Sequence, residues 1–446
     1  MHRHGLTRGR VICCSMPTRS RGFLITASAS LAVLAFINLF NYLDRYLLAA
    51  LVVPIQNSEL ALTDAQIGSL QTAFLIVFAL VAPLFGALGD RRSRPRLIAL
   101  GVGCWSIATA LSGLASSYLA LFAARAAVGV GEAAYVTIAP SLLSDYYPPE
   151  QRGRVMAVFF CAIPVGSALG YVLGGVMEHA FGWRSAFFIA GVPGLILALL
   201  CLMLRDPPRG SRDAPAAAAP DSAAAPDAPA TGAPAPDAPA ERGSYRALLR
   251  NRPYVLTILG YAAYTFALGG LAFWMPAFLE RTRGIPRLEA TRDFGVIVVV
   301  TGLVGTFIGG WLGDFVARYS SRAHLWISAL ATLLAAPAAW LALTTPSPHL
   351  YYLGMVSAQL LMFLSTGPIN ATIVNIVSPV QRASASALGV LSIHVLGDVP
   401  SPWLIGKLSM ASSLGEAVKI VPVAILVSAC IWALAARAQR VRPARS

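Results

Sequence analysis

About twelve stretches of roughly 20 mostly apolar residues run along this 446-residue chain, each long enough to cross a bilayer. They fall near 23–53, 65–88, 97–114, 118–143, 155–179 and 185–204, then near 254–279, 293–317, 324–344, 350–377, 384–409 and 415–437. In hydrocarbon a segment must satisfy its own backbone polar groups, so spans of this length are helices. An all-α membrane protein of twelve transmembrane helices is the expected fold class. With 57% hydrophobic and 12% charged residues, the chain has too little polar surface to coat a soluble globule of this size.

The spans divide six and six. Between the sixth and seventh lies a break rich in Ala, Pro and Asp, residues 205–243, which has almost no large side chain to bury and reads as a cytoplasmic linker. The expected organisation is a basic tail over 1–22, a six-helix bundle over 23–204, the linker, a second bundle over 244–437 and a tail over 438–446. The halves look like copies. Gly86-Ala-Leu-Gly-Asp90 after the second span recurs as Gly310-Trp-Leu-Gly-Asp314 after the eighth, and Pro149-Glu-Gln-Arg152 recurs as Pro379-Val-Gln-Arg382. Paired halves of this kind hold their substrate at the midplane between them.

A net charge of +14 would suit a nucleic-acid partner only if the basic residues gathered on one soluble face. Instead they sit between spans, at Arg91, Arg92, Arg94 and Arg96, at Arg152 and Arg154, at Arg318 and Arg322, and over 437–445. Basic loops stay cytoplasmic, which places both termini on that side. Arg281, Arg283, Arg287 and Arg292 run against the rule, falling in a loop on the outer side. The six cysteines show no zinc or redox spacing, and those within spans read as small hydrophobes. No metal and no cofactor is implied. Nor is there a Gly-x-x-x-x-Gly-Lys, His-Glu-x-x-His or Gly-x-Ser-x-Gly motif, which argues against an ATP-driven pump and against an enzyme.

Two charged clusters lie where hydrocarbon should be: Asn41-Tyr-Leu-Asp44-Arg45 in the first span and Arg125-x-x-x-Gly129-x-Gly131-Glu132 in the fourth. Ionisable side chains at membrane depth are costly and mark a pathway or a partner. Helical spacing puts Asn38, Asn41 and Arg45 on one stripe, with Asp44 about 100° from Arg45, and puts Arg125 and Glu132 on one face two turns apart. Asp44 and Glu132 are the expected proton-responsive groups. Arg45 and Arg125 would hold them and engage an anionic head group, with Asn41 beside them. Low dielectric disfavours a carboxylate's charge and a neighbouring Arg restores it, so moving the Arg switches proton affinity. The bland account is a static buried network that fixes helix packing.

His394 and Asp398, four residues apart in the eleventh span, can pair on one face, as a substrate or proton relay or simply as a satisfied core histidine. Pro400 and Pro402 should break that helix nearby. Tyr261, Tyr264, Phe266, Phe273 and Trp274 in the seventh span could shape an apolar pocket, with Tyr264 a further relay candidate, although packing is the commoner role for such aromatics.

Gly86-Ala-Leu-Gly-Asp90-Arg91-Arg92-Ser-Arg94-Pro-Arg96 resembles the loop motif of the major facilitator superfamily, and Gly166-Ser-Ala-Leu-Gly170 with Gly174-Gly175 is similar to the glycine pattern of its fifth helix. Asn41-Tyr-Leu-Asp44-Arg45-Tyr and the run from Arg125 to Pro140 look like the spinster-type transporters of sphingolipids and lysophospholipids. The resemblance implies that the first and fourth helices border a central cavity. It implies a secondary active transporter, working as a monomer by alternating access, proton-coupled, for a lipid-like amphipathic organic anion. Its partners would be the small-molecule or lipid substrate, protons and membrane lipids, with no nucleic acid. A hexuronate-type symporter is the alternative within transport, and a non-transporting membrane sensor the one outside it. Gly86, Asp90, Arg91, Arg94 and Asp145 are the expected cytoplasmic gate, with Asp90 meeting a helix amino terminus and the arginines meeting Asp145 or Glu150. Arg over Lys usage and the Ala-rich linker point to a bacterial plasma membrane.

Overall fold

The computed structural model describes residues 26–212, 245–320, 322–377 and 381–439. The basic tail with Cys13 and Cys14, most of the linker, Pro379 of the second repeat and the last residues lie outside the described residues, as do the side chains of Glu150, Asp314 and Arg382.

Among the described residues, twelve helices are long and apolar enough to cross a membrane. The first six are Ala27–Ala50, Asp64–Arg91, Arg94–Gly113, Tyr118–Tyr146, Gln151–Phe181 and Trp183–Leu202. The second six are Arg252–Arg283, Arg287–Ala317, Ala323–Thr344, Pro348–Ile373, Leu388–Ala411 and Leu414–Ala438. They match the apolar runs of the sequence to within a few residues, because polar capping groups close the ends. Thr63 and Gln66 form a reciprocal capping box at the start of the second span. Thr26, Ser117 and Asn251 accept from the first free amides of the first, fourth and seventh. The eleventh span is broken as Pro400 requires: a helix over Arg382–Ile393, a π turn over His394–Asp398, then a helix from Pro400.

Lipid gives apolar helices no hydrophobic reason to associate, so close packing must do it. The third and fourth spans meet at paired glycines, where a Cβ on Gly131 would lie 2.4 Å from the Gly101 carbonyl oxygen. Large apolar residues such as Leu80, Leu84, Phe307 and Trp311 remain exposed, surface that hydrocarbon can cover. The two six-helix bundles meet chiefly where the second span packs on the eleventh, the fifth on the eighth and the first on the seventh.

Those pairings are tightest on the face that carries the 57–63 and 284–286 loops. Asp64 of the first half accepts hydrogen bonds from Arg281 at 2.8 Å and Ser409 at 2.6 Å, both of the second half. Arg287 reaches back to Glu178 at 2.5 Å while also holding Glu280. On the arginine-rich face, among the described residues, Arg94 binds Asp145 and Asp206, and Arg209 donates to the carbonyls of Gly89 and Arg92, all within the first half. The halves are therefore latched together on one face and joined there by charge.

Candidate functional site

The ions of the first and fourth spans come together, and they pair crosswise. Arg45 donates to Glu132 at 2.8 Å, while Asp44 faces Arg125 at 3.5 Å and accepts from the Thr109 hydroxyl at 2.7 Å. Glu132 and Arg125 are fully buried and Asp44 nearly so. Arg45 is different: 14% of its side chain remains accessible. It alone of the four lines a cavity between the halves, with Tyr46, Gln71, Phe273, Asp398 and Pro402. That cavity holds about 450 Å³ of space, counting what is continuous with solvent.

One aromatic ring is shared by the two cations. The Arg45 guanidinium lies 5.1 Å and that of Arg125 5.5 Å from the ring centre of Phe74, and Arg45 also covers Tyr42 at 5.0 Å and Phe78 at 5.3 Å. Each contact adds attraction that strengthens where water is excluded. Neither phenylalanine stood out in the sequence. Phe74 and Phe78 sit one turn apart in the second span, facing the first and fourth, but a pair of aromatics at that spacing is unremarkable in an apolar helix.

Asn38 donates to the Phe159 carbonyl at 2.9 Å and ties the first span to the fifth. Asn41 is fully buried, and neither its amide nitrogen nor its oxygen has a hydrogen-bond partner among the described residues. The same is true of Glu132 Oε1 and of the Arg125 Nε and Nη2 atoms. Asn41 can both donate and accept, Glu132 Oε1 can accept, and the Arg125 atoms can donate.

His394 and Asp398 pair as their spacing predicts, Nδ1 lying 2.9 Å from Oδ2, within the π turn. Their place is in the opposite half, with Asp398 on the cavity wall that faces Arg45. The Phe78 ring spans the gap, 5.3 Å from Arg45 and 6.3 Å from the His394 ring. Tyr264 is placed elsewhere. Its buried hydroxyl donates to the Met362 carbonyl at 2.8 Å, and its ring packs on Trp432 and Tyr261 inside the second half. Phe273, of the same aromatic set, does reach the cavity.

Of the expected gate, Arg94 and Asp145 do pair, at 2.5 Å, but they lie in one half. Arg94 is buried and also binds Asp206 and the Pro207 carbonyl, so the start of the linker is strapped to the third and fourth spans. Gly210 N donates to Asp145 as well. Asp90 and Arg91 are exposed, with no hydrogen bond or ion pair among the described residues. Gly86 lies beside Thr137, its neighbour on the fourth span. The charged contacts that cross between halves among the described residues, at Asp64, Glu178, Arg281 and Arg287, were missed by sequence reasoning. Their signal was the run of basic residues on the side where basic residues should be scarce.

The Major Facilitator Superfamily model matches residues 34–402. Protein spinster of Drosophila melanogaster is 34% identical over 404 residues, a match covering 88% of this chain and 62% of the fly protein, less than two thirds of its length. Protein spinster homolog 3 of Danio rerio is 35% identical over 401 residues, covering 85% of this chain and 76% of its own. Among solved structures, a bacterial homolog to the human lysosomal transporter spinster, in an inward-facing and unoccupied conformation, superposes with a TM-score of 0.80 at 24% identity. That match covers 92% of this chain and 97% of the other. The occupied inward-facing form superposes with a TM-score of 0.78 at the same identity, covering 95% and 100%.

Proposed function

This chain belongs to the Major Facilitator Superfamily, among its spinster-type membrane transporters, and on that premise we propose that it carries a lipid-like amphipathic organic anion by proton-coupled alternating access. The observation that carries this reading is that Arg45 belongs to the buried ion cluster and to the cavity wall at once. An anionic head group entering the cavity competes with Glu132 for the Arg45 guanidinium. Once Arg45 turns to the substrate, Glu132 keeps its charge in a water-poor site only at a cost, and taking up a proton removes that cost. Substrate and proton are thereby bound together.

Alternation follows from where the halves hold each other. The latch of Asp64 with Arg281 and Glu178 with Arg287 keeps one face shut, and a return stroke must break both pairs. We assign the arginine-rich face to the cytoplasm, with both termini on it, in a bacterial plasma membrane. Arg281 and Arg287 then sit outside without breaking that logic, since carboxylates neutralise them. The cavity wall mixes Ala49, Leu75, Phe273 and Pro402 with Arg45, Gln71 and Asp398, a lining suited to a molecule with one charged end and one apolar end. Asp398 lines that same cavity with His394 hydrogen-bonded to it, and the pair serves as a second contact or as a proton relay.

The test is uptake into proteoliposomes under an imposed pH gradient, with lysophospholipid, sphingoid base and sugar acid as substrates. Asp44→Asn and Glu132→Gln are each expected to cut gradient-driven accumulation at least about tenfold, while binding at equilibrium persists. Wild-type coupling in both variants removes the proton assignment. Saturable uptake of sugar acids alone removes the lipid assignment.

A further inference from the structure

A groove outside the central cavity runs between the third and sixth spans at the arginine-rich face. It is lined by Arg96, Ala99, Leu100 and Gly103 of one helix and by Leu195, Ala198, Leu199 and Leu202 of the other, around about 990 Å³ of open space. Each set is spaced by three, four and seven residues, so each is one continuous stripe of a helix. The helices run antiparallel here, and the Cys201 thiol donates to the Pro95 carbonyl at 3.5 Å, which fixes their register. Arg96 therefore stands beside Leu202 at the rim. Gly103 stands beside Leu195, about 10 Å deeper.

The floor of this groove is small and its walls are large. Ala99, Ala198 and Gly103 leave a slot between the exposed side chains of Leu100, Leu199 and Leu202. A Cβ built on Gly103 would meet nothing within 4 Å, so the notch does not come from close helix packing. Apart from Arg96 the lining is wholly apolar. The Arg96 side chain is exposed and forms no hydrogen bond or ion pair with a described residue, unlike Arg94 two positions earlier, which is buried among carboxylates. A stem on the groove wall and a free guanidinium at the rim is the posture of an arginine at a membrane interface.

We propose that this groove is a binding site for a phospholipid with an anionic head group, drawn from the leaflet at the arginine-rich face. One acyl chain lies in the slot from Leu202 to Gly103, and the lipid phosphate takes the Arg96 guanidinium. Arg91 and Arg92 are exposed at the same face and add to the positive field there. The lining separates this site from the central cavity, which shares no residue with it and holds its arginine against a carboxylate.

The full-length protein in phosphatidylcholine nanodiscs, titrated with phosphatidylglycerol and read by native mass spectrometry of retained lipid, tests the proposal. The wild type is expected to retain phosphatidylglycerol preferentially. Arg96→Gln should lower that preference about fivefold, the worth of one interfacial cation, while Arg96→Lys keeps most of it. Gly103→Leu should fill the notch and reduce retention of both lipids. An unchanged preference in Arg96→Gln overturns the proposal, as does full retention in Gly103→Leu with unaltered thermal unfolding. Displacement of the lipid by inorganic phosphate also overturns it, since the apolar slot would then contribute nothing. Should Gly103→Leu fail to fold, the Arg96 pair decides alone.

Discussion

Replacing Arg125 by methionine is expected to cost about 3–5 kcal/mol of stability, the usual penalty for removing one partner of a buried ion pair. Asp44 is 2% exposed, and without Arg125 it keeps the Thr109 hydroxyl as its hydrogen-bond donor and Arg45 as a more distant cation already paired with Glu132. The loss belongs to the carboxylate left behind and not to the arginine as such. Adding Asp44→Asn to Arg125→Met should therefore restore most of it, because an amide needs no counter-ion. Unfolding in mixed detergent micelles, followed by tryptophan fluorescence, measures both. A double variant as unstable as the single one would mean that Arg125 acts through packing on Phe74 alone.

A second large effect is expected where the halves touch. A Cβ on Gly68 of the second span would lie 2.3 Å from the Pro402 carbonyl oxygen of the eleventh, and one on Gly406 would lie 2.3 Å from the Asp64 carbonyl oxygen. Both obstacles are backbone and cannot rotate away, so Gly68→Val or Gly406→Val must part the two spans. Packed interfaces tend to switch between arrangements and do not stretch smoothly, so a clash of about an ångström should convert to opening of the whole face. Spin labels at Glu59 and Ser412, both exposed, would report a longer distance population in either variant. Uptake should fall to background, since the carrier could no longer close that side. An unchanged distance distribution with wild-type uptake would show that this contact is not part of the cycle.

Much of the architecture was legible because membranes allow so few solutions. Length and apolarity alone place twelve helices, and the Ala-Pro-Asp break divides them. The site was legible for a related reason: Asp44, Arg45, Arg125 and Glu132 are conspicuous against hydrocarbon, and their cost argues that they meet. What spacing could not say is who pairs with whom. Asp44 and Arg45 are neighbours on one helix yet diverge by about 100°, so one meets Arg125 and the other Glu132, a choice made by the rotation of one helix against another. The Phe74 ring that both arginines contact was hidden because aromatics are ordinary in such spans. Arg281 and Arg287 were visible as exceptions to charge topology, but their partners Asp64 and Glu178 lie far away in the chain. The break around Pro400 was anticipated, while its form as a π turn carrying His394 and Asp398 depends on packing against the seventh span.

The most direct test of the account is side-specific access to the chamber beside Arg45. Gln71 lines that chamber without joining the ion cluster, so a single cysteine at this position, in a variant with its own cysteines replaced by serine, can report on it. In sealed proteoliposomes of known orientation, a membrane-impermeant maleimide should label Gln71→Cys from the arginine-rich face. Asp64→Asn, which weakens the latch to Arg281, should shift labelling toward the opposite face. Transport that continues while this position is never labelled from the opposite face, with or without Asp64→Asn, would contradict a chamber whose exposure alternates.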